Sequence, residues 1–301
     1  MYVAPMAKMK RKRRLRRRRT KMASKVPEEK EKEKSPSILS RSDFLKIGGA
    51  TLGAAVLSEL VISGPFSPEA IQGIGAEAHP HQGSAEHQWH MAIDLDRCIG
   101  CLYCVRACQA VNDVPDDEMR WNVVFPERLE DGTEFYMNRP CQHCQEAPCV
   151  RVCPVGATWV RPDGIVAMDY NRCIGCRYCQ VACPYDVRRF NWKTPDAPNP
   201  YQPAWGVAEV PRRPRGVVEK CTFCVHRIDR GVEQGLKPGV DRAATPACVV
   251  ACPVGARIFG DIRDPESPIT KFLAENTTFR LREDWGTEPK VHYVRPTKKE
   301  A

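Results

Sequence analysis

The chain has 301 residues, a formal charge of +9 and sixteen cysteines. That length allows one large or two small domains plus a tail. The positive charge sits at one end: residues 1–21 hold eleven basic side chains and no acid, whereas 29 basic and 29 acidic side chains cancel from His79 onward, which argues against a nucleic-acid partner for the body.

In chain order, residues 1–39 read as a basic and charged leader. The low-complexity run Glu28-Glu29-Lys30-Glu31-Lys32-Glu33-Lys34 is too polar to pack, and Met22 is an alternative start to Met1. Residues 40–78 form a second zone. Ser40-Arg41-Ser42-Asp43-Phe44-Leu45-Lys46 precedes an apolar stretch over 47–63, and Ala76-Glu77-Ala78 fits a small-residue cleavage site. This resembles a twin-arginine export signal of pattern S-R-R-x-F-L-K, with Ser42 in place of the second arginine. The expectation is a protein on the extracytoplasmic side, associated with the membrane through partners. The alternative is a cytoplasmic protein, because the motif is degenerate. A stretch of seventeen residues with one charge, Glu59, is marginal for crossing a bilayer, and no apolar stretch after residue 79 approaches transmembrane length.

The body is organised by cysteines in four quartets. The first is Cys98, Cys101, Cys104 and Cys108, spaced C-x2-C-x2-C-x3-C. The second is Cys141, Cys144, Cys149 and Cys153, spaced C-x2-C-x4-C-x3-C. The third, Cys173, Cys176, Cys179 and Cys183, repeats the spacing of the first. The fourth is Cys221, Cys224, Cys248 and Cys252, spaced C-x2-C-x23-C-x3-C. Proline follows Cys153, Cys183 and Cys252, whereas Gln109 follows Cys108.

Short β-type runs are expected at residues 91–95 and 165–169, before quartets one and three, and at 158–160 and 257–259, after quartets two and four. An internal repeat links Ala92-Ile93-Asp94-Leu95-Asp96-Arg97-Cys98-Ile99-Gly100-Cys101 to Ala167-Met168-Asp169-Tyr170-Asn171-Arg172-Cys173-Ile174-Gly175-Cys176. Another links Cys153-Pro154-Val155-Gly156-Ala157 to Cys252-Pro253-Val254-Gly255-Ala256. The reading is a loop-rich α+β body of two tandem bacterial-ferredoxin-like dicluster units.

The spacing states the chemistry. A cubane [4Fe–4S] cluster has four iron corners, each needing a thiolate. Three closely spaced cysteines wrap one cluster, and the fourth, at the start of a helix facing away, ligates its neighbour. Zinc also uses C-x2-C pairs, but its sites join two such pairs and do not add a third cysteine in the same turn. Disulfides are compatible with an exported protein, but four cluster-type quartets are not a disulfide framework. Four [4Fe–4S] clusters are therefore expected.

Residues 195–203 are proline-rich and read as a surface loop. Arg212, Arg213 and Arg215 lie in a proline-punctuated approach to quartet four and read as a solvated linker. Residues 231–245 form a polar insertion. Ile269, Phe272 and Leu273 have helical spacing, and 291–294 reads as a final strand. The seven histidines are assigned packing or surface roles, and no side chain has the setting of a catalytic acid, base or nucleophile.

The quartets, with Arg172-Cys173-Ile174-Gly175-Cys176-Arg177-Tyr178-Cys179, Cys183-Pro184-Tyr185, Lys220-Cys221-Thr222-Phe223-Cys224 and Gly286-Thr287-Glu288-Pro289-Lys290-Val291, resemble the four-cluster electron-transfer subunits of molybdopterin oxidoreductases, of the polysulfide, tetrathionate and dimethyl sulfoxide reductase type. The resemblance spans about residues 90 to 295. It implies that Cys98, Cys101 and Cys104 share a cluster with Cys252, and Cys221, Cys224 and Cys248 one with Cys108. It likewise implies that Cys141, Cys144 and Cys149 pair with Cys183, and Cys173, Cys176 and Cys179 with Cys153. An inner unit (138–203) is then inserted in an outer one (79–137 plus 204–265), followed by a C-terminal extension (266–301). The implied partners are a molybdopterin catalytic subunit, containing molybdenum or tungsten, and an integral membrane quinone-reactive subunit. The implied role is non-catalytic electron relay. The iron–sulfur subunit of a membrane hydrogenase and a free-standing polyferredoxin are the alternatives.

Overall fold

The computed structural model describes residues 83–115, 117–194 and 196–297. The expected leader and signal-like segment, residues 1–78, lie outside this set, as do His79 and His81. In chain order the elements are β1 (Trp89–Asp94), α1 (Tyr103–Val111), β2 (Val123–Arg128), β3 (Glu134–Arg139), α2 (Pro148–Arg151), β4 (Thr158–Val160), β5 (Val166–Met168) and α3 (Tyr178–Val181). There follow β6 (Arg189–Phe190), β7 (Val218–Glu219), α4 (Val225–Glu233), α5 (Ala247–Val250), β8 (Arg257–Asp261), α6 (Pro268–Glu275), β9 (Thr278–Phe279) and β10 (Val291–Val294). Helices and strands are mixed and short, as an α+β body with many loops requires. Among the described residues no helix is long and apolar enough to cross a membrane.

The largest sheet has the order β8-β1-β10-β9. Trp89, Met91, Ala92 and Ile93 are all buried, so β1 is apolar on both faces and takes a central place. It pairs antiparallel with β8, Met91 facing Phe259, and parallel with β10, Met91 facing Val291. The C-terminal segment thus shares a sheet with the first strand of the body. Ile269 and Phe272 of α6 pack on Ala92 across one face, and each such side chain contributes about 1.5–3 kcal/mol when fully buried. Three two-stranded ribbons complete the strands: β2 with β3, β4 with β5, and β6 with β7.

Helices α2, α3 and α5 have four residues each, far too few to stand alone. Each carries one cysteine of a quartet, and the surrounding loops hold it. The main core mixes Trp89, Ile93, Phe223, Phe259 and Tyr293 with eight cysteines, so the thiols occupy places that apolar side chains fill in an ordinary domain.

Of two expected surface segments, the proline-rich loop stays largely exposed, and the approach to quartet four is drawn in only at Arg212 and Arg213. Arg213 is 5% exposed and pairs with Glu219 at 3.2 Å, while Arg212 pairs with Asp113 at 2.9 Å. The two acids, and for Arg213 the Trp121 ring, thus draw these two guanidinium groups against the body, while Pro211, Pro214 and Arg215 stay exposed. In the proline-rich loop, Asn199 is buried and donates to the carbonyl of Gln109 at 2.9 Å, which ties the loop to the end of α1.

Candidate metal-cluster sites

The two repeated half-sites have matching backbones. Gly100 and Gly175 have φ of 69° and 68°, and the residue after the next cysteine, Leu102 or Arg177, has φ of 64° in both loops. The left-handed residue turns the chain sharply before α1 and α3, so three cysteines of each loop face one void. Glycine is required for a further reason: a Cβ on Gly175 would lie 2.1 Å from the carbonyl oxygen of Gly216. The second repeat is equally regular. Gly156 and Gly255 have φ of 60° and 61°, and the amides of Ala157 and Ala256 point at Cys153 Sγ (3.3 Å) and Cys252 Sγ (3.2 Å).

Three cavities are lined by four cysteines each. Cys98, Cys101, Cys104 and Cys252 surround one of about 330 Å³. Cys153, Cys173, Cys176 and Cys179 surround one of about 300 Å³, and Cys141, Cys144, Cys149 and Cys183 one of about 310 Å³. The remaining cysteines, Cys108, Cys221, Cys224 and Cys248, are all buried, and Asn112 Nδ2 reaches both Cys108 Sγ (3.7 Å) and Cys224 Sγ (3.6 Å). Burial pushes the Cys108 thiol well up, and the neighbouring Cys224, Cys221 and Cys248 push it further.

The sets adjoin in a row. Cys248 stands beside Cys104, Cys221 beside Cys141, and Cys179 beside Cys149, each pair near enough for one thiolate to raise its neighbour. Burial is the leading cause throughout, raising Cys144 to about 12 and Cys248 to about 11. A thiol ligates iron as the thiolate, and a bound cationic core would supply positive charge to offset the burial of that thiolate. Four thiols lining one void match the four iron corners of a compact four-iron, four-sulfide body. They stand apart around the cavity and do not converge on a point, as the ligands of a single zinc ion do.

Several residues beside the thiols escape sequence reasoning. Arg188 donates to Cys149 Sγ at 3.1 Å and Arg257 to Cys248 Sγ at 3.3 Å. Burial works against both charges, yet the surrounding thiolates more than offset it and hold both arginines above their usual value. Lys220 is fully buried, with Nζ bonded to the carbonyls of Val166 and Cys221. The signal available in the sequence was positional: Arg188 and Arg257 each stand five residues after a Cys-Pro cysteine.

The Gly286–Lys290 string lies over quartet two. The amide of Gln145 donates to Glu288 O (2.9 Å), that of Lys290 to Gln142 O (2.8 Å), and Tyr185 OH meets Thr287 Oγ1 at 2.5 Å. Among the histidines, His143 is buried beside Phe223, His90 meets His292 across β1 and β10, His226 lies near Glu209 and His87 binds Asp261.

Comparison with known proteins agrees with this chemistry. Two models, both described as 4Fe-4S dicluster domains, match residues 133–198, and residues 97–157 with 172–256. The chain is 44% identical over 220 residues to a putative dimethyl sulfoxide reductase iron–sulfur subunit of Halobacterium salinarum, covering 68% of this chain and 78% of the relative. It is 42% identical to the iron–sulfur cluster-binding subunit of a menaquinone reductase of Nitratidesulfovibrio vulgaris, covering 69% and 88%. It is 38% identical to the B chain of tetrathionate reductase of Salmonella typhimurium, covering 85% and 88%. Sixteen cysteines in ferredoxin-like spacing and two dicluster matches correspond to four [4Fe–4S] clusters. By this extent of identity the chain belongs to the family of four-cluster iron–sulfur electron-transfer subunits of molybdopterin oxidoreductases, of the dimethyl sulfoxide, tetrathionate and polysulfide reductase type.

Proposed function

We propose that this chain relays electrons between a molybdopterin catalytic subunit, containing molybdenum or tungsten, and an integral membrane quinone-reactive subunit. The observation that carries the reading is the graded exposure of the row. The Cys98 and Cys173 sets, at its two ends, include partly or fully exposed thiols, whereas the Cys108 set is wholly buried and the Cys141 set nearly so. A protein that only stored iron has no need of two open ends and an enclosed middle.

Each set takes its fourth thiol from another quartet. Cys252 closes the site of Cys98, Cys101 and Cys104, and Cys108 that of Cys221, Cys224 and Cys248. Cys183 closes the site of Cys141, Cys144 and Cys149, and Cys153 that of Cys173, Cys176 and Cys179. On this reading quartets two and three form an inner dicluster unit, 138–203, inserted in an outer one made from 79–137 and 204–265. A [4Fe–4S] cluster bound in such a site supplies a one-electron carrier whose potential lies anywhere from about −700 to +450 mV, depending on its surroundings. The chain's own residues hold these groups in line, exclude water from the middle two, and present apolar rims at the ends. Ile99 is 53% and Ile174 64% exposed, and Tyr178 and Val181 flank the second rim. The names of the relatives support reductase and quinone-linked partners in general.

The residue 40–46 motif supports placement on the extracytoplasmic side of the membrane. Protease accessibility of the subunit in intact spheroplasts checks that point, and protection would refute it.

Elemental analysis of the complex, purified anaerobically from native membranes with this subunit as bait, tests the function. Iron with molybdenum or tungsten is the expected result. Iron with nickel would reassign the chain to a hydrogenase, and iron alone to a free polyferredoxin.

A further inference from the structure

Two arginines are buried between neighbouring thiol sets. Arg257 is 4% and Arg188 1% exposed. Arg257 lies between the Cys98 and Cys108 sets: Nη1 donates to Cys248 Sγ at 3.3 Å, and Nη2 to the Oδ1 atoms of Asn122 (2.7 Å) and Asn138. Arg188 lies between the Cys141 and Cys173 sets: Nη2 donates to Cys149 Sγ at 3.1 Å and to Thr158 Oγ1 at 3.0 Å. Each also touches a methionine sulfur, Arg257 that of Met91 at 3.4 Å and Arg188 that of Met168 at 3.5 Å. Among the described residues neither guanidinium has a carboxylate partner; every acceptor around them is a neutral oxygen or a sulfur.

A guanidinium does not shed its proton in a protein, and a buried charge without a counter-charge is strongly unfavourable. The negative charge that offsets these two has to come from the thiol sets themselves once they hold their clusters. The two arginines also choose the same kind of site. Their N–H···S bonds go to Cys248 and Cys149, which belong to the two middle sets of the row, the ones with least access to water.

We propose that Arg257 and Arg188 are potential-setting residues: Arg257 raises the reduction potential of the site formed by Cys108, Cys221, Cys224 and Cys248, and Arg188 that of the site formed by Cys141, Cys144, Cys149 and Cys183. The inference rests on the cluster assignment given above. Reduction adds one negative charge to a site. A fixed positive charge in a water-poor interior, with a hydrogen bond to a ligating sulfur, favours the more negative state. Enclosure alone pushes the other way, since an apolar surround disfavours added charge. The arginines therefore offset the penalty that burial imposes on the middle of the row and keep those two sites reducible.

The experiment is an EPR-monitored redox titration of the intact complex carrying Arg257→Met, Arg188→Met, or the corresponding lysine substitutions, with iron counted in each sample. Wild-type complex with about sixteen irons per chain and four separable cluster signals establishes the underlying assignment; fewer irons or signals would refute that reading independently of the arginines. In each methionine variant the expected result is full iron content with one signal shifted down by at least tenfold in its reduction equilibrium, about 59 mV for one electron. The lysine variants, which keep the charge, are expected to shift less. Full iron with unchanged potentials, or equal shifts for methionine and lysine, would overturn the proposal.

Should the Arg257→Met variant lose iron, Asn122→Asp tests the Arg257 half of the proposal, and the Arg188 half is read from the Arg188 variants. Asn122→Asp sets a carboxylate against the Arg257 guanidinium without removing it, and it gives up only an Nδ2 that has no partner among the described residues. The same downward shift is expected, and an unmoved potential would overturn the proposal.

Discussion

The imidazole of His143 and the ring of Phe223 lie face to face, 3.7 Å between centroids with planes 24° apart. Each residue immediately precedes the second cysteine of its quartet, and each has a left-handed backbone, φ 44° at His143 and 56° at Phe223. The stack therefore locks the loop of quartet two against that of quartet four, where Cys141 and Cys221 come together. Burial holds the imidazole neutral, with Lys220 and Lys290 acting in the same direction, and its Nδ1 accepts the amide of Val166 at 3.1 Å. Phe223→Ala is expected to cost about 3–5 kcal/mol as a buried aromatic truncation. Because loss of clusters makes unfolding irreversible, the effect is read as faster bleaching of cluster absorbance on heating. A wild-type bleaching rate would show that the stack does not join the loops.

Gly175 is the tightest point of the repeated loop, with its φ of 68° and its approach to the Gly216 carbonyl. Gly175→Ala is expected to displace the loop and deplete the site lined by Cys173, Cys176 and Cys179. Gly156 also has positive φ, but no atom stands within 4 Å of where its Cβ would lie, so it should tolerate alanine better. Iron content of the two variants compares them directly, and equal loading would contradict the steric argument.

Arg213 and Glu219 form a buried pair, each side chain 4% exposed, at 3.2 Å. Glu219 also accepts from Trp121 Nε1 (3.0 Å) and Asn191 Nδ2 (3.2 Å), while Arg213 lies over the Trp121 ring. Removing one partner leaves the other charge buried and unpaired, so Glu219→Ala should destabilise by about 3–5 kcal/mol. Limited proteolysis of the intact complex under native conditions would report it as faster cleavage of this chain, and unchanged resistance would contradict it.

His90 Nδ1 and His292 Nε2 meet at 2.9 Å between parallel strands. Burial first, then His292, Lys290 and Arg280, lowers the pKa of His90 to about 3, and burial with Arg280 lowers His292 to about 4, against the opposing pull of Glu283. The unfolded chain takes up these protons near pH 6.5, before the folded chain does. Stability from this pair is thus complete above about pH 6.5 and is lost as pH falls toward 4, by up to about 1.4 kcal/mol per pH unit for each proton. The double variant His90→Gln/His292→Gln should show a shallower loss between pH 6.5 and 5 in denaturation assays. Parallel curves would remove the pair as a cause.

Much of the site was legible before the structure. Strands beside the quartets follow from short β-type runs and from the internal repeat, and observed β4 and β10 coincide with the expected 158–160 and 291–294. The parallel pairing of β10 with β1 was not legible, because some two hundred residues separate the strands and nothing local encodes it. The β2–β3 hairpin went unread although Asp131-Gly132 marks its turn, with Thr133 N donating to Asp131 Oδ1 at 2.9 Å. Charged Glu127, Arg128 and Glu134 on a half-exposed ribbon hide its alternation. Arg188 and Arg257 were missed for the opposite reason: arginine is ordinarily a surface residue, and only a negative body in the interior makes its burial favourable.

The exchange of cysteines between quartets is the central claim, and alanine substitutions at three positions test it most directly. EPR of reduced complexes carrying Cys98→Ala, Cys252→Ala or Cys248→Ala identifies which cluster signal each removes. The account predicts that Cys98→Ala and Cys252→Ala abolish the same signal, although 154 positions separate them, while Cys248→Ala abolishes a different one. Loss of a common signal in Cys252→Ala and Cys248→Ala, with Cys98→Ala affecting another, would contradict it.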